Sequence, residues 1–155
     1  MARQKSPHRD LSASALVDTG YLVALLRKRD QYHSQANGWQ RWVVGRKARL
    51  VVTEAVLWKW LDGLSDPAVR QQAAQGYRRL HQDKLVEVVP FDLRRIEAAF
   101  ALYESRPDKG WSLTDCFSFV VMQERRLTNA LTADHHFVQA GFRALLLEEP
   151  PSRSE

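Results

Sequence analysis

The sequence predicts an α/β fold in which a central parallel sheet of about five strands lies between two layers of helices. Two observations indicate this fold. Short apolar runs alternate with helical patterns along the chain, and strands of this kind usually belong to a parallel sheet that is covered on both faces. The length of 155 residues suits a single domain that buries about two-thirds of its unfolded surface.

The strands are predicted from short runs rich in alanine, leucine and valine, which fit a buried sheet. Pro90 ends the third run because proline has no backbone N–H to donate. The predicted strands are residues 15–17, 49–53, 85–89, 130–133 and 144–147.

The helices are predicted from capping residues and from apolar periodicity. Asp66 before Pro67 is typical of a helix start, and Ser112 can open another helix. Two helices carry one-sided apolar spacing. The helix expected after Asp30 does so at His33, Ala36, Trp39, Gln40 and Val43, and the helix at 92–104 at Ile96, Ala99, Phe100 and Tyr103. The other predicted helices are 21–29, 54–64, 67–83, 112–126 and 137–141.

The predicted domain spans residues 13–148, between a charged segment at 1–12 and a proline-rich tail at 149–155, and both ends are expected to be flexible. The single cysteine, Cys116, allows no disulfide framework and indicates a reducing compartment. No apolar run is long enough to cross a bilayer. We therefore expect a cytoplasmic protein that does not enter a membrane, with Cys116 as a small buried side chain.

Three aspartates follow or lie near predicted strand ends: Asp18 after the first strand, Asp134 after the fourth, and Asp115 on the helix between them. The carboxyl ends of parallel strands form one crevice at the switch point of the sheet. Carboxylates gathered there repel each other and need a cation, and hard Mg²⁺ or Mn²⁺ suits oxygen ligands. The net charge of +5 also suits a nucleic-acid partner, although a plain solvated surface would have the same composition.

Each aspartate has a structural alternative. Asp18 and Asp134 could be helix N-caps, and Asp115 lies three residues after Ser112, as in a capping box. A zinc site at His135 and His136 is a weaker alternative, because adjacent histidines point to different sides of a helix. We expect His136 to pack at the helix start and His135 to lie near the mouth of the site.

Residues 17–25, 111–119 and 131–142 together resemble the motifs of a PIN domain, most closely the small stand-alone kind related to VapC toxins. This resemblance covers most of the chain, with the motif order intact. It implies a ribonuclease dependent on Mg²⁺ or Mn²⁺, built on a five-stranded parallel sheet, that forms a homodimer and pairs with a small antitoxin. It places Asp18, Asp115 and Asp134 among the metal-binding acids.

One position departs from the family pattern. Residues 53–59 match a threonine-to-glutamate motif on the helix after the second strand, but Lys59 stands where the glutamate is expected. Glu54 lies roughly 140° around the helix from Lys59, so Asp62, one turn on, is the better substitute. Both acids are kept as candidate catalytic residues. Alternatively, Lys59 forms an ion pair in the pocket and weakens metal binding.

The sequence therefore predicts an endoribonuclease, with candidate substrate contacts at Thr19, Thr114, Thr132, His135 and Trp111. The threonines are adjacent or close to the acids and can hold their geometry, and Trp111 could stack on a base. A degenerate module that binds RNA or a protein without cutting is the main alternative, and Lys59 favours it. A phosphate-handling receiver-like or hydrolase domain is the third, although no phosphate-binding glycine loop of the G-x-x-x-x-G-K type is present.

Overall fold

The sheet consists of five parallel strands in the order β3-β2-β1-β4-β5. The computed structural model describes residues 11–152. The strands are β1 (Ser14–Val17), β2 (Arg49–Thr53), β3 (Val86–Val89), β4 (Asn129–Leu131) and β5 (Arg143–Ala144). β1 occupies the centre, with Leu16 opposite Val51 of β2 and Ala130 of β4. The predicted parallel sheet is confirmed.

Seven helices of the described chain flank the sheet. They are α1 (Thr19–Leu26), α2 (His33–Arg46), α3 (Glu54–Asp62), α4 (Pro67–Gln82), α5 (Leu93–Ser105), α6 (Leu113–Arg125) and α7 (His135–Gln139). The predicted caps at Asp66 and Ser112 are present, and each accepts a hydrogen bond from a first-turn amide. Within residues 11–152, no helix combines the length and apolar character that a membrane span requires.

Alternate residues of the strands bury into two separate cores, which confirms the three-layer architecture. Ala15, Val17 and Leu131 pack on the side covered by α1 to α4. Leu16 and Ala130 pack on the side covered by α5, α6 and α7. Because successive side chains of a strand point to opposite faces, a strand that is apolar throughout requires helices on both sides.

Several predicted details differ from the structure. Tyr32, not Asp30, precedes α2, and the Asp30 carboxylate accepts a hydrogen bond from the Tyr32 amide instead. On α2 the exposed Gln40 is not part of the buried face, which Trp42 completes. The last predicted strand is only two residues long and continues as a 3₁₀ turn at Leu145–Leu147.

The packed chain extends beyond the predicted domain limits of 13 and 148. Leu11 is buried in the core, and the Asn129 side-chain amide donates hydrogen bonds to the Ser12 and Ser14 carbonyls. At the other end Pro150 lies against α2, where a Cβ at Gly38 would come within 2.4 Å of the Pro150 Cγ. The flexibility expected for residues 1–10 and 153–155 concerns positions outside the described residues.

Candidate metal centre

Asp18 lies at the carboxyl end of β1, where the neighbouring strand is β4. Its amide donates to the Leu131 carbonyl at 3.2 Å, which ties the two strand ends together. The carboxylate accepts a 2.7 Å hydrogen bond from the buried Thr132 hydroxyl and forms no capping bond with α1. The helix-capping alternative therefore does not account for this buried carboxylate.

Burial raises the pKa of Asp18, and the hydrogen bonds from the Thr132 hydroxyl and the Thr19 amide offset only part of this effect. The negative charge of Asp115 raises the pKa of Asp18 further, whereas the positive charge of Lys59 lowers it. A carboxylate that is only 8% exposed and faces a second acid is costly to ionise. A cation beside both acids would remove much of this cost.

Asp115 lies in the first turn of α6 and is buried. It completes a capping box with Ser112, in which each side chain accepts from the other residue's amide at 3.0 Å. The capping alternative is therefore correct for Asp115, but this bond uses only one of its two carboxylate oxygens. The structural and functional interpretations of this residue are compatible.

Asp134 caps α7 by accepting from the His136 amide at 2.9 Å. The His136 ring lies beside both acids, with Nδ1 3.2 Å from the Asp115 Oδ2 and 3.3 Å from the Asp134 Oδ1. One ligand atom from each of Asp115, Asp134 and His136 lies within 4.8 Å of the other two. When Nδ1 carries a proton it donates to a carboxylate, and when it does not it is a nitrogen ligand for a cation.

His136 was expected to pack at the helix start. It lies in the first turn of α7, and its ring also lies among the acids and against Gly110. His135 is exposed and forms no hydrogen bond or ion pair within residues 11–152. The position of the His136 ring could have been expected from the sequence. Side chains of a helix tilt toward its N-terminus, so His136, whose amide is capped by Asp134, points back toward that aspartate.

The model of the PIN domain matches residues 15–143 of the sequence. The chain belongs to the PIN domain family. No curated protein matches the sequence, but solved structures share the fold.

One is VapC20 from Mycobacterium tuberculosis, a sarcin-ricin loop cleaving toxin. The TM-score is 0.70 at 23% identity, covering 83% of this chain and 95% of that one. FitAcB from Neisseria gonorrhoeae is similar with a TM-score of 0.60 at 19% identity, covering 84% of this chain and 94% of that one. Membership of the PIN domain family thus accounts for the parallel sheet.

The two candidate substitutes for the missing glutamate lie in different surroundings. Glu54 faces α4, where the Tyr77 hydroxyl donates to it at 3.4 Å and His81 lies 3.3 Å away. Asp62 is exposed and lines a groove with Lys59 between α3, α5 and α6. The structure therefore does not bring Glu54 together with the three aspartates, and Asp62 lies on the groove side. Lys59 forms no ion pair within residues 11–152, contrary to one of our expectations.

The residues predicted to contact the substrate also lie in different surroundings. Thr132 is fully buried, and its hydroxyl both donates to Asp18 and accepts from the Asp134 amide, so it positions these acids. Trp111 is buried against Phe119, and the Arg106 guanidinium lies 5.1 Å above its ring. Neither of these two can meet a substrate in this structure, which corrects the expectation. Thr114 lines the groove.

The residues of the site fit a hard divalent cation. Oxygen donors from Asp115 and Asp134 lie beside His136, and the buried Asp18 carboxylate is held by Thr132. No lysine or arginine of the described chain is ion-paired with these acids. The Thr19 hydroxyl, next to Asp18, is buried without a hydrogen-bond partner among residues 11–152, and a metal-bound water would satisfy it. Asp115, Asp134 and His136 are the residues that could contact one ion together, and Asp18 lies outside this group.

Proposed function

We propose that this PIN domain is a divalent-metal-dependent endoribonuclease, with Asp18, Asp115 and Asp134 as its metal-binding catalytic acids and Mg²⁺ or Mn²⁺ as its cofactor. The observation that carries the proposal is the cluster of Asp115, Asp134 and His136 near the switch point between β1 and β4. The Thr132 hydroxyl joins Asp18 to this cluster, since it donates to Asp18 and accepts from the Asp134 amide. A crevice at this place is where open α/β sheets bind their ligands. A cation held by these residues would offset the cost of ionising the buried Asp18 and would supply a positive charge for a phosphate.

The chemistry follows from the donor set. A bound divalent ion lowers the pKa of a water and neutralises charge that develops on the phosphate during attack. The chain's own residues orient the ion: Thr132 holds Asp18, Ser112 holds Asp115, and the α7 amide holds Asp134. His136 lies between Asp115 and Asp134 and fixes the separation of their carboxylates.

We propose RNA as the substrate and a role as the toxin of a toxin–antitoxin pair, with a small antitoxin protein as the partner. The basic net charge of +5 and the fold shared with a toxin that cleaves the sarcin-ricin loop support both points. The cytoplasm is the expected compartment, since the single cysteine, Cys116, is buried and unpaired.

The test is cleavage of RNA by the purified protein. We expect cleavage with Mn²⁺ or Mg²⁺, none with EDTA, and recovery when excess metal is restored. Induced expression in a bacterium should arrest growth, and co-expression of the antitoxin should relieve the arrest. Cleavage that persists in EDTA would contradict the metal-dependent mechanism.

The alternative is a PIN domain that binds RNA or a protein without cutting, and Lys59 in place of the expected acid favours it. Calorimetric titration with Mn²⁺ separates the two functions. A functional centre takes up Mn²⁺ in a specific, saturable step, and a protein that shows no such step and no cleavage fits the binding module.

We also propose that the protein forms a homodimer through α5. The face predicted to be apolar there is largely uncovered: Ile96 is 39% exposed, Phe100 53% and Tyr103 50%, and only Ala99 of the helix is buried. Leu93, in the first turn of the same helix, is 70% exposed. Exposed apolar patches of this kind mark interaction sites. A second copy is the occupant that the family resemblance implies, because the same face on each subunit can be self-complementary.

Phe100→Glu is expected to convert the dimer to a monomer, since it places a charge in the proposed interface. Sedimentation velocity measures the outcome. Val44→Glu is the matched control, because Val44 is 70% exposed on α2 in the opposite helical layer. A wild-type protein that sediments as a monomer, or equal behaviour of the two variants, would refute the α5 interface.

A further inference from the structure

Lys59 lies on α3 and lines a groove of about 460 Å³ between α3, α5 and α6. Thr114, which also lines this groove, directly precedes Asp115 of the metal centre. The groove therefore runs along the first turn of α6, which carries Asp115. The charge of Lys59 also acts on Asp18, whose pKa it lowers.

The ammonium of Lys59 is available for a ligand. The residue is exposed, and it has no ion pair within residues 11–152. Asp62 lies one turn further along α3 and lines the same groove, yet the two charges do not pair. An ammonium that pairs with no carboxylate attracts a negatively charged ligand. Because it lies beside an acidic centre, we expect that ligand to be one that the centre also binds.

We propose that Lys59 binds a backbone phosphate of the RNA next to the phosphate held at the metal centre. This rests on the proposed function. Lysine binds phosphate as a point charge on a flexible stem, which suits a contact at the rim of a site. The family motif has a glutamate at this position. In this chain Lys59 replaces that carboxylate, and its ammonium binds the substrate.

The test measures binding apart from cleavage. A fluorescent single-stranded RNA is titrated with the protein in EDTA at several salt concentrations, and anisotropy gives the affinity. Lys59→Met removes the charge and keeps the aliphatic stem. We expect a several-fold weaker affinity and a salt dependence (slope of log K against log salt) smaller by about 0.7, the value for one phosphate contact on a single strand. Lys59→Arg should retain the wild-type slope.

Lys84→Met is the matched control, since it makes the same change in net charge. Lys84 is exposed in the turn before β3, at the amino end of the sheet and opposite the aspartates. We expect it to leave the slope unchanged. Equal slopes for the Lys59→Met variant and wild type overturn the proposal, as does a loss of partner-protein binding without any loss of RNA binding.

The failure of this inference is distinguishable from failure of the proposed function. A wild-type enzyme that cleaves RNA with Mn²⁺ but binds it independently of Lys59 refutes only the phosphate contact. Absence of both cleavage and salt-dependent RNA binding in the wild type refutes both.

Discussion

Asp115→Asn is expected to lower the rate of metal-dependent RNA cleavage by at least about 100-fold. Mutation of a residue that only orients a metal ligand lowers metal affinity or activity by about 10- to 100-fold. Mutation of a direct ligand should lower activity by at least the upper of these values. Asparagine keeps a carbonyl oxygen that can accept from the Ser112 amide, and the Ser112 hydroxyl still accepts from the residue 115 amide. The capping box and the fold should therefore survive.

The matched control is Asp66→Asn, which changes another helix-capping aspartate. Asp66 caps α4 through the Ala68 amide and is exposed on a different helix from the metal centre. Steady-state cleavage at saturating Mn²⁺ and a thermal melt of each variant provide the comparison. The metal-centre assignment is wrong if both variants cut RNA at the wild-type rate.

The sheet and the positions of Asp18 and Asp134 after strand ends could be predicted because both follow from chain order. Apolar runs separated by helices place the strand ends at one edge, and Asp18 and Asp134 are each within a few residues of such an end. Neither inference requires knowledge of a side-chain rotamer. The family resemblance then added the order and spacing of the motifs, and the match over residues 15–143 confirms the family.

Side-chain surroundings could not be predicted in the same way. Periodicity placed Ile96, Ala99, Phe100 and Tyr103 on one side of α5, but it cannot tell how far other elements cover that side. Ala99 is buried in the core, whereas the other three are exposed. Trp111 looked available beside the active-site helix, yet its indole N–H donates to the Gln139 side chain and its ring is buried. These outcomes depend on contacts between residues distant in sequence.

Glu54 and Lys59 illustrate the same limit on one helix. The angle around α3 correctly separated them, but only the packed structure shows that α4 supplies Tyr77 and His81 to Glu54. Lys59 has no comparable partner among the described residues. A departure from a family motif thus identifies where the chemistry changes, while the surrounding helices determine what the new residue can contact.

Asp18→Asn is expected to abolish cleavage and, in the absence of metal, to stabilise the fold. Burial raises the pKa of Asp18 above its ordinary value of 3.8, so the folded protein holds this proton more tightly than the unfolded chain does. Ionisation therefore costs stability, and the cost grows as pH rises from 3.8 through the folded pKa. Asparagine carries no charge and still accepts the hydrogen bond from Thr132.

Thermal unfolding in EDTA at a series of pH values measures this effect. The Asp18→Asn variant should gain about 1–3 kcal/mol over wild type at neutral pH, the usual cost of an incompletely satisfied buried group, or roughly 2–4 °C in Tm for each kcal/mol. The difference should vanish at a pH below 3.8, where the carboxyl is protonated in both states.

Added Mn²⁺ should reverse the order of stability, because a ligand that binds only the folded state stabilises it by about 2.7 kcal/mol at 100 times its Kd. Wild type should gain this stabilisation, and the Asp18→Asn variant should gain little. A variant that is less stable than wild type in EDTA at neutral pH would mean that the Asp18 charge is already compensated within the protein. In that case the physical reason for a cation between β1 and β4 would be lost. The predicted reversal would instead show that the Asp18 carboxylate is maintained for metal binding at the expense of stability.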